Sequence, residues 1–449
     1  MNETRDLAKF VSKLKYEDLP NEVVEKTKDL TLDQLGVQLA SSAMPWSKIV
    51  YKYARAVGGI PESSIVAYGD KTSAVNAAFV NGTFGHGFEM DDTHRKAMTH
   101  PGCVIIPTVL AVGEKELVDG RTFILAAVTG FDVMGRIALA VTPELIHRGP
   151  QPTGTVGSFA AAAAAGKIWG LDEEKVVNAL AIAASTYAIR VDREAQVGVE
   201  QKRIYGGAAA ANGIRAALLS RFGLTGMPNI LEGRFGFCRS FVDKFELEEI
   251  TRNLGKEFKG VMDVAYKMYA SEGYLLPMYE ACANIMQQHP IDPDEVDEVI
   301  VGTNRDAVRV SGAIVEPQDI SAAHFSGPFG IGLRLVKGGN GFKEYTEENL
   351  RDPEVLRIAR KVRLVLDERL DKMHPGNRGA DVTIVLKDKK SYNNRIDDLR
   401  VLSRQDIQEK FRELSTPIVG SEKAERIIEI VMGLDGLKVI SVLSALLYQ

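Results

Sequence analysis

The sequence predicts a mainly α protein in which a large helical domain, built from both chain ends, receives a smaller inserted α+β domain. Three observations carry this. Residues 1–265 show apolar residues at helical spacing almost throughout. Near residue 258 the texture changes to short runs rich in Val and Ile. After residue 403 the helical pattern returns, so the first domain is resumed rather than replaced. At 449 residues, 45% of them hydrophobic and 26% charged, the chain holds enough apolar material for two cores. The expected division is 1–265, 266–400 and 401–449.

The elements follow in order. LPNEVVEKTKDLTLDQLGVQLAS places Val23, Val24, Leu30, Leu32, Leu35 and Leu39 on a helix, with Asn21 as its N-cap, and Pro45 and Pro61 bracket a shorter one. Ala- and Gly-rich segments come next, among them GSFAAAAAAGKIWGL and GGAAAANGIRAALLSRFG. Such faces let helices approach closely and predict a tightly packed bundle. Asp172 suits the N-cap of a helix over 173–186. FKGVMDVAYKMYAS, VDEVIVGT, KVRLVLD and ADVTIVLKD read as strands, and Asp388-Lys389-Lys390 as a hairpin turn. Helices over 275–288 and 321–337 alternate with them. DIQEKFRELS and SEKAERIIEIVMGL return to helix.

Composition narrows the function. A net charge of −5 argues against a nucleic-acid surface. Three scattered cysteines form no disulfide framework and suit a reducing cytoplasm. The first twenty residues are charged throughout, unlike a signal peptide or anchor. The most apolar stretch, Ser158 to Gly170, is too short for a bilayer, which takes roughly 20 residues. The expectation is a soluble cytoplasmic protein.

Chemistry concentrates between Gly85 and Gly102. There His86, Glu89, Asp91, Asp92, Thr93, His94 and His100 lie among permissive glycines and a Pro-Gly stop. Dense titratable groups tune one another's pKa, as a proton-transfer site requires. His86 and Glu89 stand at i and i+3, where one helix face can present two metal ligands, but no zinc or calcium motif accompanies them. No metal is expected. Other segments set polar groups beside glycines. Thr153 and Thr155 precede the Ala-rich helix, whose free N–H groups suit either an anion or a simple cap. Lys202, Arg203 and Tyr205 enter another close-packed helix. Lys267, Tyr269, Ser271 and Tyr274 lie at the domain junction, and His324 and Ser326 precede a Pro-Gly break. No phosphate loop, nucleophile elbow or dinucleotide fingerprint is visible. Proton transfer on a small anion, without a cofactor, is what remains.

Several of these motifs, in order, resemble the MmgE/PrpD family: FVNGTFGHGFEMDDTH with HPGCVIIPTVLAVGE, then PTGTVGSFAAAAAAGKIWGLD, then KRIYGGAAAANGIRAALLSRFGLTG with ILEGRFGF. That family includes 2-methylcitrate dehydratase, cis-aconitate decarboxylase and iminodisuccinate epimerase. The resemblance implies the same two-domain fold, a homodimer, no metal and no organic cofactor. It places the acid, Thr and His of the family's decarboxylase at Glu89, Thr93 and His100, and its lysine at Lys202. Glu89 stands where Asp is usual, and one extra residue precedes His100. Gln151 takes the place of one family His, Tyr274 or Gly273 of another, and Phe329 of a Tyr. Gln exchanges no proton near neutral pH and Phe none at all, so the decarboxylase set is incomplete.

Dehydration, decarboxylation and epimerisation in this family all develop negative charge at a carbon next to a carboxylate. The resulting expectation is a hydro-lyase acting on a hydroxylated di- or tricarboxylate, 2-methylcitrate dehydratase-like. Epimerase, isomerase, decarboxylase and a silent carboxylate-binding paralogue are the alternatives. His100 is assigned proton transfer, Glu89 or Asp92 its orientation, and Lys202 the anion clamp. Tyr205 and Tyr274 are secondary donors, and Thr93 completes the catalytic group. His86, Gln151, Thr153, Arg203, Lys267, Ser271 and Ser326 are further substrate-binding candidates. Neither nucleic acid nor membrane is an expected partner.

Overall fold

A computed structural model describes residues 2–185, 199–374 and 376–449. The described residues are mainly helical, with one four-stranded sheet and two short two-stranded pairs. The helix Pro152–Ile168 lies at the centre and is buried from Pro152 through Gly166. Helices Tyr205–Arg221, Gly120–Val141 and Gly102–Glu116 pack around it. Small side chains make that closeness possible: a Cβ on Gly213 would stand 2.4 Å from the Ala161 methyl. Gly120–Val141, rather than Ser158–Gly170, is long and apolar enough to cross a membrane. Yet 89% of its most apolar window is buried in the protein, so its apolar surface serves the core.

Two cores match the change of texture in the sequence. The larger draws on residues from Leu7 to Val264 and again from Ile407 to Leu447. Helix Arg404–Val419 therefore lies against helix Asn21–Ser41, where Arg404 Nε meets Asp29 Oδ1 at 2.7 Å and buried Lys410 Nζ meets Asp33 Oδ1 at 2.7 Å. The smaller core runs from Leu275 to Ile384. Its sheet has the order Val362–Leu366, Val296–Thr303, Ala380–Leu386, Ser391–Ile396, with the first pair parallel and the others antiparallel. The hairpin turns through Asp388 and Lys389, the latter at φ +69. A third cluster, including Trp46, Phe88, Ala270, Phe329 and Tyr345, joins the two parts.

Local differences from the sequence reading have physical causes. Pro20, not Asn21, is the N-cap of the first long helix. Asp172 caps its helix as expected, accepting from Lys175 N. Residues 321–337 form two helices, Ile320–Ala323 and Gly327–Lys337, because Ser326 turns its side chain to cap the second. The segment read as a strand after 258 is a helical turn, Lys259–Met262, followed by only two strand residues, Val264–Ala265. These two pair antiparallel with Thr93–His94. That short ladder pins the acid-rich loop against a crossing between the two domains, and so positions the site.

Candidate active site

Helix Ala74–Gly87 ends before the loop begins, so His86 and Glu89 do not share a helix face. Glu89 instead takes left-handed backbone, φ +57, and Met98 does so at φ +52. Such residues without glycine's freedom cluster where a surrounding structure holds a functional group in place. Here both line the same cleft, which encloses about 110 Å³. Main-chain bonds between His94 and Thr99, at 2.9 and 3.4 Å, close the loop tip.

His100 is fixed from three sides. Its Nδ1 lies 2.8 Å from the main-chain oxygen of Asp92 and 3.6 Å from Asp91 Oδ2. Its backbone N–H donates to Thr153 Oγ1 at 3.0 Å. A carbonyl only accepts, so Nδ1 carries the proton and Nε2 holds the free lone pair. Behind it, buried His86 Nδ1 contacts the same Asp91 oxygen at 2.7 Å. Burial pushes His100 down to about 3, against the upward pull of Asp91. The ring keeps 17% of its surface open to the cleft and is a neutral imidazole at neutral pH.

Two lysines face it. Lys202 pairs with Glu89, and Lys267 Nζ donates to the Glu89 main-chain oxygen at 3.1 Å. Lys267 also lies 3.8 Å from both Glu89 Oε2 and Asp91 Oδ1. Burial alone would raise Glu89, but Lys202 and Lys267, with His86 and His100, hold it well below the usual carboxylate range. The same competition keeps Asp91 ionised, while burial lowers Lys267. The outcome is a neutral imidazole, two lysines and a fixed carboxylate around one small space. Such an arrangement can move a proton beside a carboxylate.

Residues 5–250 match the MmgE/PrpD N-terminal domain and residues 269–436 the MmgE/PrpD C-terminal domain. The chain belongs to the MmgE/PrpD family. It is 29% identical to a cis-aconitate decarboxylase of Aspergillus terreus, over 99% of this chain and 95% of that protein. A cis-aconitate decarboxylase of Homo sapiens is 26% identical over 99% and 94%. A cis-aconitate decarboxylase-like protein of Aspergillus oryzae is 28% identical over 99% and 97%. With such full-length relatives the chain is an enzyme of a carboxylic-acid lyase family.

In this MmgE/PrpD chain the cleft collects Glu89, Thr93, His100, Gln151, Lys202, Lys267 and Tyr274 from the sequence candidates. The others stand behind it or apart. Asp92 does not orient His100 through its carboxylate; its Oδ1 accepts from Gly102 N at 2.9 Å and so caps helix Gly102–Glu116. Asp91 is the carboxylate beside His100. His86 acts on Asp91, and Thr153 on the His100 backbone. Gln151 caps its own helix through Gly154 N, so the simple cap is what occupies that N-terminus. Arg203 does not reach the cleft: it is buried with its guanidinium 3.7 Å from the Trp46 ring centroid. Tyr205 is buried at the start of helix Tyr205–Arg221. Ser271 bonds Tyr345 at 2.8 Å, Ser326 caps Phe329 N at 3.0 Å, and His324 packs edge-on against Phe88 and Tyr345.

Two charged cleft residues escaped the sequence reading, Glu272 and Arg378. Glu272 sits between flagged neighbours, Ser271 and Gly273, so its signal was adjacency alone. Arg378 precedes the strand Ala380–Leu386 with nothing local to mark it. Among the described residues His86, Asp91 and Cys103 place ligand atoms within 4.8 Å of one another, as a metal site would. They fit a hydrogen-bonded cluster better. His86 Nδ1 is committed to Asp91, the Lys267 ammonium stands 3.8 Å from Asp91, and burial pushes the Cys103 thiol well up, keeping it protonated.

Proposed function

We propose that the enzyme is a lyase of a small carboxylic acid that works by proton transfer at the carbon next to a carboxylate. Its first reaction on this reading is loss of water from a hydroxylated di- or tricarboxylate. The observation that carries this is the tautomer of His100. Nδ1–H is tied to the Asp92 carbonyl, which leaves Nε2 as a base. Lys202 and Lys267 hold the reacting carboxylate and balance the charge of the enolate that forms. His100 Nε2 takes the α-proton, and the C–H electron pair moves into the enolate. The C–O bond then breaks, with Tyr274 supplying the proton that turns leaving hydroxide into water. Asp91 offsets the imidazolium formed meanwhile.

Decarboxylation is the second reading, favoured by the full-length relatives named as cis-aconitate decarboxylases. There His100 would return a proton to the carbanion left by carbon dioxide. Gln151 and Phe329 stand where the resemblance implies a His and a Tyr, which weighs toward elimination. Incubation with citrate, 2-methylcitrate, malate and cis-aconitate in D2O, followed by proton NMR, tests both. A new vinylic signal with loss of the hydroxylated acid supports the first reading. Carbon dioxide release from cis-aconitate overturns it in favour of the second. Solvent deuterium entering an α-position without elimination would overturn both and indicate an epimerase.

A further inference from the structure

Arg378 lines the cleft from the α+β side, and its Nε is buried without a hydrogen-bond partner. Among the described residues no carboxylate lies within ion-pair reach of it. Its neighbours in the same part of the chain behave otherwise. Arg357, Arg363, Arg369 and Arg395 each meet an Asp or Glu at 3.1 Å or less. Arg378 as a whole is half-buried while its Nε is shut off from water, and an unpaired buried N–H is costly, a cost that an anion entering the cleft relieves.

The surroundings build a seat for that group. Gly273 lets it in: a Cβ there would stand 1.9 Å from Nη1 and 3.0 Å from Cζ. The Tyr274 ring lies 5.3 Å from Cζ, within cation–π range. The Arg378 backbone N–H donates to Asp398 Oδ1 at 3.1 Å, and the same oxygen accepts from Arg95 Nη1 at 2.7 Å. Asp398 thus ties the arginine's backbone to the loop that carries Thr93 and His100. Nearby Glu272 accepts from Ser311 Oγ at 3.0 Å. Across the cleft, Lys202 and Lys267 lie beside Glu89 and Asp91, a setting that Arg378 does not share.

We infer that Arg378, admitted by Gly273, is a subsite for a second carboxylate, so the substrate carries at least two carboxylates and bridges the two domains. This rests on the lyase reading above and adds its specificity. One carboxylate sits with Lys202 and Lys267 at the reacting carbon. The other takes the planar fork of Arg378, which a lysine would not reproduce.

The test is calorimetry on the full chain with tricarballylate, and with butyrate as the single-carboxylate control, for wild type, R378Q, R378K and G273A. R378Q should raise the Kd for tricarballylate roughly tenfold to hundredfold, the usual worth of a charge-assisted pair. R378K should recover part of that, and butyrate affinity should stay unchanged. G273A should lose affinity similarly by displacing the guanidinium, and the G273A/R378Q double variant should be no worse than either alone. Melting curves confirm that each variant folds. Unchanged tricarballylate affinity in folded R378Q, or an equal loss for butyrate, overturns the subsite. Wild type that binds tricarballylate through Arg378 but turns over no acid would leave the subsite standing and overturn the lyase reading. Wild type that binds no carboxylate overturns both.

Discussion

The two walls of the cleft are built on opposite plans. On the helical-domain wall each group is held by the next: His86 on Asp91, Asp91 near His100, His100 on the Asp92 carbonyl, Glu89 on Lys202. Glu89 takes left-handed backbone within that interlock. On the α+β wall, Arg378 is presented through a gap at Gly273 and left without an ion-pair partner among the described residues. The difference teaches a division of labour. A base whose tautomer matters must be fixed before substrate arrives, whereas Arg378 keeps a donor unpaired.

The comparison breaks most directly at His100. If this wall carries the chemistry, His100→Ala should lower kcat roughly 10²- to 10⁴-fold while substrate still binds, the usual contribution of a general acid or base. Near-normal turnover would reduce His100 to a structural residue ahead of Pro101. Asp91→Asn comes next, with a fall of about tenfold to hundredfold, as for a lost orienting partner. Because Asp91 draws the His100 pKa upward, its loss should also move the acid limb of the pH–rate profile to lower pH. A purely packing role would not move that limb. Lys202→Ala should act mainly on KM, and Lys202→Arg should rescue part, since a guanidinium fork is not an ammonium point. Steady-state kinetics that showed a loss in kcat alone would shift Lys202 from holding to proton transfer.

The smallest effect is on stability. Burial holds His324 well below the usual histidine range and His100 at about 3, so both are neutral in the folded protein. In the unfolded chain they take up protons below about pH 6.5. Their folded pKa values being depressed, stability is intact above that pH and is lost as pH falls beneath it. Melting temperatures measured at pH 7 and pH 5 should therefore differ, and His324→Phe should flatten the difference. An unchanged slope would mean that His324 is protonated in the fold.

Much of this was legible in the sequence, for reasons that differ by element. The Ala-rich helices and the hairpin at Asp388 to Lys390 follow from local periodicity and turn chemistry, which the chain displays directly. The cluster around His100 was visible because its members are close in sequence. Its wiring was not: Asp91 and Asp92 are neighbours of identical chemistry, and only the direction of the backbone decides that one faces His100 while the other caps a helix. Arg203 and Lys202 pose the same problem, one stacked on Trp46 and the other in the cleft. Arg378 depends on a glycine far earlier in the chain, a relation that no local pattern records.

The packing of helix Arg404–Val419 on helix Asn21–Ser41 has a consequence for biosynthesis. On the ribosome helix Asn21–Ser41 emerges long before helix Arg404–Val419 exists. Until residue 410 is made, Asp33 has no Lys410 to neutralise it, and the apolar face that will meet Phe411 stands open. The inserted domain, whose core closes between Leu275 and Ile384, has all its parts first. Closing contacts of such sequence separation make for slow folding and a long-lived, sticky nascent state. The last stretch of chain thus acts as a latch on the larger core.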